Sequence, residues 1–207
     1  MPQLNRHLGY PRQEKDFYPT PAWVTKALVR WVRLPSGIWE PFCGNGAISQ
    51  VLEEQGHSVV STDLVDRGYG EGGRDFMLED RMPEGKTAIV TNPPYRDLFE
   101  FAVHALKLPE PVGGMVALMV NHQWQTGQEA SKLCRMPAFA GTVVLVGRLD
   151  FSSGIGVPAK NRGNHSHCWL VWDWSRPPGP ARIFYEGVNP EKAQRPRRRV
   201  DMPEWAR

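Results

Sequence analysis

The sequence predicts an α/β fold: a mostly parallel sheet of about seven strands, with helices on both faces and an antiparallel hairpin near the C-terminus. Three observations carry this. Short apolar runs alternate with segments whose apolar residues recur at helical period, the pattern of strands joined by crossover helices. The last apolar runs follow one another without long helices between them, so part of the sheet turns antiparallel. The polar and glycine-rich motifs fall at the ends of the runs, where ligands bind in such sheets, beside the point where the strand order reverses.

In order, "TPAWVTKALVRWV" is a helix, with Thr20 as N-cap and Pro21 at its first position. Trp23, Val24, Ala27, Leu28, Trp31 and Val32 share one face. "GIWEPF" is a strand ending in a turn, and "AISQVLEEQG" a helix with Ile48, Val51 and Leu52 inward and Gly56 closing it. "HSVVSTD" is a strand. "YGEGGRDF" is a loop with room for a short strand at its end. "TAIVTN" is a strand and "DLFEFAVHALKL" a helix, with Leu98, Phe101, Ala102, Ala105 and Leu106 aligned. "GGMVALMV" is a strand and "WQTGQEASKLCRM" a weakly amphipathic helix. "GTVVLVGRL" and "SHCWLVWDW" are strands joined by the polar loop 150–165, and "ARIFYEG" adds one more.

The 207 residues suit one domain, divided here into an N-terminal arm (1–15), a main domain (16–186) and a basic tail (187–207). No apolar run approaches the ~20 residues of a membrane span, and the N-terminus lacks the apolar stretch of a secretory leader. Three cysteines, Cys43, Cys134 and Cys168, without CxxC spacing argue against a disulfide framework or zinc ribbon and fit a reducing cytoplasm. Net charge is +3, but the tail concentrates Arg195, Arg197, Arg198 and Arg199. Such a tail binds polyanions or is merely solvated, and composition leaves both readings open. Of eight tryptophans, Trp39, Trp169 and Trp172 lie in strands and belong to the core.

In the first strand–turn–helix unit, Glu40-Pro41-Phe42-Cys43-Gly44-Asn45-Gly46 follows the strand. Gly44 and Gly46 permit a sharp turn and close approach of a ligand. About twenty residues on, Asp63 ends the next strand, placed for ribose hydroxyls. The three-glycine dinucleotide fingerprint is absent, which disfavours a nicotinamide oxidoreductase. Glu40 would repel a pyrophosphate but suits a cation, either a sulfonium or an amino acid's ammonium. Together these features point to S-adenosylmethionine.

With these motifs in place, the chain resembles S-adenosylmethionine-dependent DNA amino-methyltransferases of the NPPY type, with the motif order of the gamma class. It looks most similar to small prophage-type adenine-N6 enzymes. "FYPTPAWV" resembles the family's N-terminal cofactor motif (Tyr18, Pro19, Thr20), "EPFCGNG" its glycine motif and "STDL" its ribose motif (Asp63, Leu64). "RDF" resembles the motif contacting the cofactor's adenine (Asp75, Phe76), and "NPPY" the catalytic motif. The resemblance spans about Asp16 to Asp173. It implies a class I, Rossmann-like methyltransferase fold, duplex DNA with a flipped target base as partner, no membrane, and a bacterial or phage-infected cell.

An exocyclic base nitrogen is a poor nucleophile, because its lone pair is delocalised into the ring. It needs acceptors for its two hydrogens more than it needs a strong base. The Asn92 side-chain oxygen and the Pro93 carbonyl supply these, and Pro94 restricts the conformation of Pro93. Tyr95 offers an aromatic face for an extruded base. A chance turn at a strand end would explain one proline but not the whole of Asn92-Pro93-Pro94-Tyr95.

Cytosine-N4 in DNA is the nearest alternative. RNA guanine-N2 and protein glutamine amides pose the same chemical problem, and a catalytically inactive nucleic-acid-binding relic is the alternative from a different class. Arg148, Lys160 and Arg162, in and beside the 150–165 loop, join Tyr95 and the tail arginines as candidate nucleic-acid contacts. With no dedicated recognition domain fitting after Asp173, a short or relaxed target sequence is expected. His165, His167 and Cys168 lie close together, but no second ligand pair accompanies them, so no metal is expected. His104 reads as a half-buried helix residue, and Asp97 as a helix N-cap rather than a base.

Overall fold

A computed structural model of the chain describes residues 19–146, 149 and 166–187. Its elements are α1 (Ala22–Trp31), β1 (Gly37–Glu40), α2 (Ala47–Glu54), β2 (Ser58–Ser61), β3 (Ala88–Thr91), α3 (Leu98–Lys107), β4 (Met115–Asn121), α4 (Ala130–Leu133), β5 (Phe139–Leu145), β6 (His167–Asp173) and β7 (Arg182–Glu186). They form one seven-stranded sheet in the order β2-β1-β3-β4-β6-β5-β7. β1 pairs parallel with β2 and β3, and β3 with β4, whereas β6 runs antiparallel between β4 and β5. β7 lies parallel to β5 at the far edge. The mostly parallel sheet and the β5–β6 hairpin are those the sequence predicts.

Side chains alternate across each strand, so one apolar run feeds two cores. On one face, Ile38, Val90, Ala117, Met119, Trp169 and Val171 pack under Val24 and Leu28 of α1 and Ile48 and Leu52 of α2. On the other, Trp39, Ile89, Val116, Leu118, Leu170 and Trp172 pack under Leu98, Ala102, Ala105 and Leu106 of α3. The three strand tryptophans are fully buried, and each indole N–H has an acceptor. Trp39 donates to Thr62 Oγ1 (3.0 Å), Trp169 to the Val24 carbonyl (2.9 Å) and Trp172 to the Leu133 carbonyl (2.9 Å).

The edge strand is held from one side. Phe184 stacks on Trp31 with centroids 5.1 Å apart, and Glu186 accepts from Trp31 Nε1 and Arg30 Nη1, both at 2.7 Å. Trp31 is therefore not a core residue of α1; at 41% exposure it clamps β7 from above. A β-bulge sets the β5 register at Gly141, where a Cβ would lie 2.1 Å from the Arg182 carbonyl oxygen.

Three local expectations are corrected. α1 starts at Ala22 with Pro21 as N-cap, and Thr20 makes no capping hydrogen bond because its hydroxyl is turned to Asn92. The segment 124–136 is not one helix but a 3-10 turn (Trp124–Thr126) and the single-turn α4; between them Gly127 takes an extended conformation, and Thr126 bonds back to the Gln123 carbonyl. After β2 there is no further strand before β3, only a Thr62–Glu71 bridge and a 3-10 turn (Phe76–Leu78). Asp97 occupies the N-cap position of α3 but makes no side-chain cap bond.

The burial pattern sets a stability contrast. Trp169→Ala removes a fully buried side chain and should cost about 3–5 kcal/mol in urea unfolding. Ile183→Ala on the exposed face of β7 should stay within about 0.5 kcal/mol. Equal midpoints for the two variants would contradict the assignment of the core.

Candidate active site

The strand order reverses between β1 and β3, since the chain leaves β1 for β2 on one side and returns to β3 on the other. The crevice at their carboxyl ends is walled by the β1–α2 turn, the residues after β2 and the residues after β3, with Pro19, Thr20 and Phe101 completing it. It encloses a cavity of about 290 Å³.

The β1–α2 turn is tied down from β2. Thr62 N–H donates to the Glu40 carbonyl (2.9 Å), Cys43 N–H to the Thr62 carbonyl (3.0 Å), and Gly44 N–H to Asp63 Oδ2 (2.8 Å). The other Asp63 oxygen accepts from Val65 N–H (2.8 Å). Each of its oxygens keeps a second lone pair for an incoming hydroxyl. Gly46, in the left-handed region at φ 82°, starts α2; a Cβ there would meet the Tyr69 ring at 2.6 Å. Tyr69 thus covers the glycine turn from the 66–73 loop, its hydroxyl donating to Glu53 (3.1 Å).

Glu40 is the unusual group. Its side chain is 1% exposed, lines the cavity, and accepts a hydrogen bond from Ser49, which in turn contacts Ser61 Oγ at 2.7 Å. Among the described residues no cation pairs with it. Burial pushes its carboxyl well above the usual carboxylate range, and the charge of Asp63 adds to this. Burial also lifts the Cys43 thiol to about 12, so it stays protonated and is no nucleophile.

Across the cavity, Asn92 follows the last residue of β3. Its Nδ2 donates to Thr20 Oγ1 (3.2 Å), while Oδ1 is buried and has no hydrogen-bond partner among the described residues. Pro93, Pro94 and Tyr95 continue the wall, with the Tyr95 ring 6.4 Å from that of His167, edge to face. Phe42, Phe76 and Phe101 form an apolar side, Phe42 making edge contacts with both others at 4.9–5.1 Å. Asp75 lines the same side; its Oδ1 accepts from Met77 N–H (3.0 Å).

The structure thus brings Pro19, Thr20, Glu40, Phe42, Cys43, Gly44, Asn45, Asp63, Leu64, Asp75, Phe76 and Asn92 to Tyr95 around one cavity. Pro41 and Gly46 shape the turn without lining it. Tyr18, Arg148, Lys160, Arg162, Arg195, Arg197, Arg198 and Arg199 lie outside the described residues. Sequence reasoning missed Ala47, Ile48, Val65, Arg67 and Phe101 as lining residues. Phe101 was legible only as a core position of α3, and Arg67 sits in a loop with no periodicity. His104, expected as a half-buried helix residue, packs edge-on against Phe76 at 4.9 Å.

No protein-family profile and no curated protein matches the chain. Solved structures do. A type I restriction-modification methyltransferase subunit from Streptococcus thermophilus superposes with a TM-score of 0.53 at 14% identity, over 77% of this chain and 45% of that one. A proposed RNA methyltransferase from Pyrococcus horikoshii gives 0.54 at 14%, over 75% and 84%. A proposed hemolysin from Lactococcus lactis gives 0.53 at 14%, over 84% and 95%. The chain thus spans under half the length of the restriction-modification subunit it matches. At such identities the likeness speaks for architecture alone: the chain has the class I, Rossmann-like methyltransferase fold.

Proposed function

We propose that the chain is an S-adenosylmethionine-dependent methyltransferase that modifies the exocyclic amino group of adenine (N6) in DNA. The observation that carries this reading is the buried Oδ1 of Asn92, without a hydrogen-bond partner among the described residues, in the wall of a cavity that also holds Glu40, Asp63 and Asp75. A buried acceptor without a donor is costly, and a substrate N–H repays that cost.

The residues present fit the cofactor. Glu40, buried and without a paired cation among the described residues, suits the positive charge of the methionine end, and Thr20 lines the same cavity. Asp63 has lone pairs for the ribose hydroxyls, and Asp75 an oxygen for the adenine amino group. Bound there, S-adenosylmethionine supplies a methyl group on a positively charged sulfur. Asn92 Oδ1 and the Pro93 carbonyl accept the two amino hydrogens of the target. They favour a pyramidal nitrogen, whose lone pair would form the new N–C bond as the S–CH3 bond breaks and leaves a neutral thioether; the methylated nitrogen, then cationic, would give one hydrogen to solvent as a proton. Tyr95 stacks on the flipped base. Positioning and electrostatics carry the rate, with no strong base in the site.

DNA is supported by the sequence resemblance; the fold itself is shared alike with a restriction-modification methyltransferase subunit and a proposed RNA methyltransferase. The test is incubation with methyl-labelled cofactor and duplex DNA, RNA or protein, followed by nucleoside and amino-acid analysis. N6-methyladenine from DNA is expected. N4-methylcytosine alone would overturn the base assignment, label only in RNA or in glutamine would overturn the substrate class, and no label in any would overturn the reading.

Glu40 gives a pH prediction. Its folded value is raised, so the native state holds a proton that the unfolded chain, titrating near ~4.3, has lost. Stability from this group is present below that pH and falls as pH rises through the folded value. Glu40→Gln should therefore raise the melting temperature of the unliganded protein at neutral pH. Cofactor affinity of the wild type should rise with pH over the same window, as the cation expels the proton, and should be weaker and flat in Glu40→Gln. Identical pH profiles for the two proteins, measured by calorimetry, would contradict this role.

A further inference from the structure

Asn92 can serve as an acceptor only if its amide faces the right way. The two ends of the amide are nearly isosteric. Rotation by half a turn would present Nδ2, a donor, to a substrate that also brings donors. Nothing in the covalent structure of Asn92 prefers one orientation, so its partner must choose.

That partner is the hydroxyl of Thr20. It is 5% exposed, it sits in the segment leading into α1, and it receives Asn92 Nδ2 at 3.2 Å. A hydroxyl has one proton and two lone pairs. With its proton uncommitted, it could donate to Oδ1 of a flipped amide as readily as it accepts from Nδ2. Once the proton is given to another acceptor, only accepting remains, and Nδ2 must face Thr20. Oδ1 is then held toward the substrate. Thr20 and Glu40 both line the cavity, and Glu40 is an acid suited to the ammonium or sulfonium of an amino-acid-bearing cofactor. The carboxylate of that same amino acid is the anion that would take the Thr20 proton.

We infer that Thr20 is a positioning residue whose single hydroxyl couples the anionic end of the cofactor to the orientation of the Asn92 amide. The inference rests on the methyl-transfer reading above. It makes the acceptor clamp competent only when the cofactor is bound, which suppresses unproductive capture of amino groups by the empty enzyme.

The direct test follows the Asn92 side-chain amide in nitrogen-15-labelled protein, identified as the resonance pair lost in Asn92→Asp. In the wild type, one Nδ2 hydrogen should exchange with solvent about tenfold more slowly than in Thr20→Val. Adding S-adenosylhomocysteine, which carries the same amino-acid end, should slow it further in the wild type and in Thr20→Ser but not in Thr20→Val. Equal exchange in wild type and Thr20→Val, or no response of the wild type to the ligand, would overturn the inference. Kinetics separate it from the functional reading. At saturating cofactor, Thr20→Val should lower single-turnover methyl transfer by ~10-fold or more, and Thr20→Ser should restore it. In an Asn92→Ala background the same change should be nearly silent, because Thr20 acts through Asn92. Full, additive losses in that background would overturn the coupling. A wild type that shows the amide response to ligand yet transfers no methyl group would instead sink the methyl-transfer reading and leave the hydroxyl bridge standing.

Discussion

Four strands of this sheet, β1, β3, β4 and β6, have almost no exposed face, because helices or turns cover both sides. A strand so placed has no position for a polar side chain until it leaves the sheet. The chemistry of the chain therefore collects at strand ends. Glu40 closes β1, Asp63 follows β2, and Asn92 follows β3. The reversal of strand order between β1 and β3 opens a crevice there, and the three groups meet around it. Burial of the tryptophans and aliphatic residues is thus what concentrates the polar groups, as well as what holds the fold together.

The cavity that results is rich in carboxyl groups within a chain of net charge +3. Glu40, Asp63 and Asp75 line it together with Arg67, and burial favours the neutral form of Glu40 until a cation arrives. Asp63 and Asp75 oppose a free phosphate or pyrophosphate, whereas a cation that displaces the Glu40 proton gains a partner. The Cys43 thiol, held protonated by burial, adds neither charge nor nucleophile. The chemical character of the site is set by one buried carboxyl at the head of a glycine turn and by one buried amide oxygen opposite it.

Elements with strong local signals were legible in the sequence. Helical period placed α1, α2 and α3, and apolar runs placed the strands, because burial on both faces leaves little else for those residues to do. The turn 40–46, Asp63, Asp75 and the Asn92–Tyr95 segment were legible because each joins unusual residue types to a strand end. What was not legible depends on contacts distant in sequence. The Thr20 hydroxyl reads locally as a helix cap, and only the approach of Asn92, 72 residues away, withdraws it. Trp31 reads as core on helical period, and only β7, with Phe184 and Glu186, shows why it stays at the surface. Val65, Arg67 and Tyr69 lie in a glycine-rich loop without periodicity, so nothing local announces that the loop folds over the glycine turn.

The central claim is that the amide oxygen of Asn92 holds the amino group as its nitrogen becomes tetrahedral. The most direct measurement is the turnover of Asn92→Ala on methylatable DNA, set beside its affinity for S-adenosylmethionine and for DNA. An acceptor used mainly at the transition state lowers turnover far more than binding. A loss of ~10²-fold or more in turnover, with affinities changed severalfold at most, is the predicted result. An Asn92→Ala protein that turns over at the wild-type rate would contradict the account.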